Sequence, residues 1–226
     1  VWTMNGATLA DSAMTSLSVG TDWAVAGAAD FDGDGKADML LRNAATGKTA
    51  VWSMDGATVI ATAMTSASTG TDWTISGVAD FSGDGKADIL WRQTGTGKTA
   101  LWTMDGATVT DSSYTSAFAG TEWTVKGLAD FDADGKADIL WRRGDTGKCA
   151  LWTMSGPTVS DMSMTSASPD TSWTVEQTSD FGGDGKADIL WRRTSDGKTA
   201  VWTMNGAAMT AADYTSASTG TDWTVQ

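Results

Sequence analysis

Asp30, Asp32, Asp34 and Asp38 bring four carboxylates into nine residues, in the run Asp30-Phe31-Asp32-Gly33-Asp34-Gly35-Lys36-Ala37-Asp38. The chemistry open to such a run is capture of a hard cation. Side chains at positions 1, 3 and 5 of a curled backbone point inward, and glycine at position 6 permits the sharp turn. Calcium takes about 6–8 oxygens at roughly 2.3–2.6 Å, which a loop of this kind can supply. The run recurs three times, with Asp80, Ser82, Asp84, Lys86 and Asp88, then Asp130, Asp132, Asp134, Lys136 and Asp138, then Asp180, Asp184, Lys186 and Asp188. Position 12, where an EF-hand needs Glu, holds Leu41, Trp91, Trp141 or Trp191, so EF-hand geometry is excluded. Asp at position 9 closes each loop instead, and the carbonyl of Lys36, Lys86, Lys136 or Lys186 is the expected backbone ligand. Asp and Gly are also ordinary turn residues; four such runs in register are what favour the cation. The loops hold 14 of the 28 acidic residues, and carboxylates so crowded repel one another without a counter-ion. The expectation is one calcium per loop, up to four, stapling a hairpin rather than doing catalysis. Gly182 has no side-chain oxygen where Asp32, Ser82 and Asp132 have one, so the fourth site is expected to be the weakest.

The loops keep step because the whole chain does. Trp23, Trp73, Trp123, Trp173 and Trp223 recur every 50 residues, as do Trp2, Trp52, Trp102, Trp152 and Trp202. Such regularity means that each unit meets its neighbours in one repeated way. Within residues 71–120, Trp73–Phe81 alternates and reads as a strand. The acidic loop follows, then Ala87–Arg92, a turn at 94–97, and Lys98–Met104. Asp105-Gly106 is a hairpin signal, and a weaker fourth strand covers roughly 108–116. Four short strands per unit predict an all-β fold, a β-propeller of four-stranded antiparallel blades; a β-solenoid is the other candidate. The expected layout is one domain over 1–226. It has a half blade at 1–20, full blades at 21–70, 71–120, 121–170 and 171–220, and the start of a further blade at 221–226. The incomplete fifth blade leaves three readings open: a ring with a reduced blade, a piece of a larger propeller, or closure between chains.

The net charge of −13, with 15 basic residues, argues against nucleic acid and anionic membrane surfaces. No apolar run approaches the roughly 20 residues of a membrane span. Cys149 is the only cysteine, so no intramolecular disulfide can form. The chain opens on Val1 in mid-repeat, which reads as a mature fragment or an excised domain.

The run D-F-x-G-D-G-K-A-D-I-L-W-R, followed by L-W-T-M-D-G, resembles the FG-GAP/VCBS repeats of secreted bacterial proteins, over the whole chain. Its calcium loop is similar to that of the integrin α-subunit propeller. The spacing from G-T-D-W-T-V to D-G-K-A-D-I-L is similar to Psathyrella velutina-type lectins, seven-bladed propellers that bind sugars and calcium. The resemblance implies a propeller with loop calcium in a secreted or cell-surface, bacterial setting, and it suggests glycan binding between blades.

Trp91, Trp141 and Trp191, each followed by an arginine (Arg92, Arg142, Arg192), are the candidate sugar-binding pairs: indole faces stack on sugars and guanidinium groups bond hydroxyls. The first unit has Leu41 before Arg42 and would be defective. The competing reading packs every periodic Trp between blades, where large aromatics supply buried area. With no histidine and no unit that breaks the symmetry, nothing points to catalysis. The favoured function is a calcium-stapled, lectin-like module that binds glycans or extracellular partners. The alternative is an adhesive or self-assembling scaffold that associates through its incomplete blade, and a third reading is an accessory domain of a secreted enzyme.

Overall fold

The computed structural model describes residues 2–5 and 8–216. Trp23–Ala29 (β3), Asp38–Asn43 (β4), Thr49–Asp55 (β5) and Thr58–Met64 (β6) form a four-stranded antiparallel sheet in chain order. The same sheet is built again from Trp73–Ala79 (β7), Asp88–Gln93 (β8), Thr99–Asp105 (β9) and Thr108–Tyr114 (β10). Trp123–Ala129 (β11), Asp138–Arg143 (β12), Cys149–Ser155 (β13) and Thr158–Met164 (β14) make the third. Trp173–Ser179 (β15), Asp188–Arg193 (β16), Thr199–Asn205 (β17) and Ala208–Tyr214 (β18) make the fourth. Before them, Trp2–Asn5 (β1) and Thr8–Ser12 (β2) pair as a hairpin. Each sheet falls inside one 50-residue unit, as the blades of a β-propeller do. The strand start expected at 221–226 lies outside the described residues.

Local chemistry sets these elements. The β5–β6 hairpin pairs Asp55 with Thr58, leaving Gly56 and Ala57 as a two-residue loop. Gly56 sits at φ 59°, a conformation that costs glycine little. Position 6 of the first acidic loop makes the same demand, with Gly35 at φ 82°. The second and third strands of each sheet are the most buried, and the fourth lies at an edge. Large apolar side chains there stay in solvent, among them Met64, Tyr114, Met164 and Tyr214.

The chain divides into two compact units, one of Val1–Asp80, Asp84–Thr94 and Ala100–Ser113, the other of Phe81–Gly83, Gly95–Thr99 and Tyr114–Gln226. In the first, Phe31, Leu40 and Val51 of one sheet pack on Ile89, Trp91 and Met104 of the next. Trp91 and Trp102 meet there at 4.9 Å between ring centroids, tilted by 60°. In the second unit, Phe131, Leu140 and Leu151 pack on Ile189, Trp191 and Met204. Each such side chain contributes about 1.5–3 kcal/mol by leaving water.

Backbone bonds lock the stacked sheets. Ala87 N donates to Asp30 O at 2.7 Å and Gly106 N to Phe31 O at 2.8 Å; in the second unit, Ala187 and Gly206 repeat this on Asp130 and Phe131. Ser66 donates its N–H to Ala107 O, and its hydroxyl accepts the Val109 N–H at 2.8 Å. Ser16 does the same toward Ala57 and Val59, so the N-terminal segment docks on its neighbour with the bonding of a full blade.

Candidate metal centres

Each acidic loop is wound around its first aspartate. Asp30 accepts the N–H groups of Gly33 and Gly35, both at 2.7 Å. Asp130 accepts those of Ala133 and Gly135, and Asp180 those of Gly183 and Gly185. In the second loop, Gly85 N reaches Asp80 at 2.7 Å. Burial works against the charge on Asp30, but the N–H groups of Gly35 and Gly33 outweigh it and hold that carboxyl below its usual range.

The position-9 aspartate ties the loop to the sheet. Asp38 is buried at the start of β4; its Oδ2 accepts Phe31 N at 3.1 Å and its Oδ1 accepts Met54 N at 3.0 Å. Asp138 accepts Phe131 N and Met154 N in the same way, both at 2.9 Å. Asp188 accepts three N–H groups, from Phe181, Gly182 and Met204. Asp88 takes the N–H of Met104 at 3.0 Å.

Among the described residues, two loops bring three carboxylates together. Asp30, Asp32 and Asp38 each place an oxygen within 4.8 Å of the others, and Asp130, Asp132 and Asp138 do the same one hundred residues on. These groups could hold a metal ion, and their donors are hard anionic oxygens of the kind calcium takes. Their electrostatics agree. Burial pushes Asp138 up to about 7; the N–H groups of Met154 and Phe131 resist, while the charges of Asp132 and Asp130 add to the rise. Burial likewise raises Asp38, with a contribution from Asp32 and Asp30, and raises Asp132, with the charge of Asp134 adding more than that of Asp130. A cation among these oxygens would offset that cost.

The remaining expected ligands are placed differently. Asp34, Asp84, Asp134 and Asp184 at position 5 each accept the N–H of the position-7 lysine, at 2.8, 2.9, 2.9 and 3.0 Å. Lys36 turns its ammonium to Asp55 at 3.3 Å, Lys86 to Asp105 at 2.5 Å and Lys186 to Asn205 at 2.7 Å. These partners end the third strand of the first, second and fourth sheets, and the residue before the hairpin glycine, Asp55, Asp105 or Asn205, was their only trace in the sequence. A Cβ added to Gly182 would lie 3.5 Å from an Asp188 oxygen and 4.0 Å from one of Asp180, so a carboxylate is missing there between two that are present.

The Trp-Arg pairs need a correction. Trp91, Trp141 and Trp191 have 0%, 0% and 1% of their surface exposed, so no ring face is open to a sugar. Arg142 and Arg192 are buried beside them. Arg142 bonds the carbonyls of Gly147, Asp170 and Trp173. Arg42, which precedes the same arrangement in the first sheet, bonds Gly70 O and Trp73 O and stacks 4.7 Å above Trp91. Stacking on the neighbouring sheet covers Trp91 and Trp191, and all three indoles are buried, so the packing reading holds for this set. Cys149 is buried in the second unit's core, where burial raises its thiol above the ordinary value.

Four-stranded sheets in a 50-residue register, each opened by an aspartate-wound loop, define a β-propeller repeat protein. The FG-GAP-like repeat profile matches residues 30–91, 80–141 and 130–191, and the chain belongs to that family. No curated protein matches it. Among solved structures, BBS1N in complex with ARL6DN is similar over 89% of this chain and 57% of its own, at 9% identity and a TM-score of 0.50. Virginiamycin B lyase from Staphylococcus aureus is similar over 86% of this chain and 57% of its own, at 10% identity and a TM-score of 0.49. A streptogramin B lyase gives 84% and 54%, at 11% identity and a TM-score of 0.48. The chain thus spans little more than half of each, and at 9% identity the likeness to BBS1N speaks to fold alone.

Proposed function

We propose that the chain is a non-catalytic, calcium-binding β-propeller module that works outside the cell, in a secreted or cell-surface bacterial protein, and binds carbohydrate. The observation that carries the calcium reading is the pair of carboxylate groups, Asp30/Asp32/Asp38 and Asp130/Asp132/Asp138, whose burial and mutual repulsion a divalent ion would relieve. The ion's role is structural: it would cross-link the first aspartate of the loop to the buried aspartate that anchors β4 or β12. Loops two and four would bind more weakly, through Ser82 or water in place of the missing carboxylate. The two carboxylate groups found among the described residues lie in these loops, where their oxygens already accept backbone N–H groups, which supports a structural role. Glycans are the proposed partner class, because identical units on one chain bind a repeating ligand with avidity.

Calorimetric titration and thermal melts with calcium and with excess chelator test the first half. Calcium should bind and raise the melting temperature; no bound metal and an unchanged melt in chelator would remove the reading. A glycan array run in both conditions tests the second half. The alternative is a self-associating scaffold. The exposed Met64, Tyr114 and Tyr214 on edge strands favour it, because an unpaired edge with apolar side chains invites pairing. Large assemblies in solution without glycan binding would support that alternative.

A further inference from the structure

Among the described residues, one recess recurs in the first, third and fourth sheets, built around the same repeat positions. In the first sheet it lies between Trp23, Trp52 and Met64, beneath Gly20. In the third it lies between Trp123, Trp152 and Met164, beneath Gly120. In the fourth it lies between Trp173, Trp202 and Tyr214, beneath Pro169. The recesses enclose about 250, 280 and 220 Å³. Each is formed by one sheet and its own incoming linker.

We infer that these recesses are the carbohydrate sites, each taking a single pyranose ring. This deepens the glycan reading above and rests on it. Drug-sized ligands fill pockets of roughly 300–1,000 Å³, so a recess of this size suits one ring rather than a longer ligand. Trp23, Trp52, Trp123, Trp173 and Trp202 in its walls remain partly open, while the buried Trp141, Trp152 and Trp191 also line it in the third and fourth sheets. The outer rim is a large side chain left in solvent: Met64 and Met164 are each 50% exposed and Tyr214 is 65% exposed. Tyr214 leans on Trp173 with 6.1 Å between ring centroids. The apolar C–H face of a sugar can cover such a surface, as an aliphatic chain could. The rim also carries Thr62, Ser163 and Asp213, which can bond hydroxyls at the ring's edge. An apolar floor with a polar, open lip matches a ligand that is itself apolar on one face and wet at its edge. Repetition at a fixed chain spacing matches a polymer of like sugars rather than a lone metabolite.

The test uses the whole chain with calcium, and immobilised chitin, cellulose, mannan and galactan as probes. The variant Met64→Ala/Met164→Ala/Tyr214→Ala removes three solvent-exposed rim groups, and a thermal melt checks that it folds. Ile60→Ala, exposed on β6 but outside the recess, is the control. The expected result is binding to at least one polysaccharide, weakened about tenfold or more in the triple variant through loss of contact and avidity, and unchanged in Ile60→Ala. Equal binding by the folded triple variant and the parent would overturn the recess assignment while leaving the glycan reading in place. No binding of the parent chain to any of the four would overturn both.

Discussion

The Arg142 guanidinium lies 4.9 Å above the ring of Trp191 and donates to the carbonyls of Asp170 and Trp173 at 2.8 and 2.9 Å. Arg142 belongs to β12 and Trp191 to β16, so one side chain fastens two successive sheets. Hydrogen bonds from a charged donor contribute about 1.5–3 kcal/mol, and a desolvated cation–π contact about 2 kcal/mol. Arg142→Ala is expected to lower stability by about 3 kcal/mol in urea melts. Arg142→Lys should recover only part, because an ammonium lacks the planar fork that reaches several carbonyls at once. A variant as stable as the parent would show that the sheets hold without this clamp.

Asp188 separates the structural work of the position-9 aspartate from any metal. It accepts three backbone N–H groups in the loop least equipped for calcium. Asp188→Asn leaves one oxygen for these donors, and an orphaned buried N–H costs about 1–3 kcal/mol. The variant should lose about 2 kcal/mol by chemical denaturation in chelator, and at least as much with calcium, which the fourth loop binds weakly. A loss seen only with calcium present would make Asp188 a metal ligand first.

Ala133 occupies position 4 of the third loop, where the other three have glycine, and it is held at φ 65°. That left-handed conformation costs a residue with a Cβ roughly 1–2 kcal/mol. Glycine's extra freedom in the unfolded chain offsets about 0.4–1 kcal/mol of the relief. Ala133→Gly should therefore stabilise by roughly 0.5–1 kcal/mol, read as a higher melting temperature. A lower one would mean the alanine makes a contact that matters more than its strain.

Gly182→Asp should build in the fourth loop the carboxylate group that the first and third possess, since a Cβ there lies close to both Asp180 and Asp188. With calcium the variant is expected to bind one more ion than the parent, or the same ion at least tenfold tighter. In chelator it should melt at a lower temperature, because a third carboxylate adds repulsion. Unchanged calorimetric stoichiometry and affinity would show that the loop's curl, rather than the missing ligand, limits the fourth site.

The 50-residue period, the order of four strands and the acidic loops were legible because their causes are local. Strand alternation needs only residues two apart, a hairpin needs only Asp-Gly, and an inward-curled loop needs only its own glycines and aspartates. The sequence by itself also showed that loop four lacks an oxygen at Gly182. Tertiary structure decided what each repeated side chain faces. A Trp in register can be a platform or a core residue, and only the stacking of one sheet on the next seals Trp91 and Trp191 while leaving Trp23 and Trp173 partly open. Arg142 could not be read as a clamp either, because its carbonyl partners at Asp170 and Trp173 lie some thirty residues away and meet it only across that stack. Asp38 shows both levels at once. Its place in the loop pattern is local, but both of its oxygens bond backbone N–H groups, one of them on β5, because burial leaves a carboxylate no water to turn to.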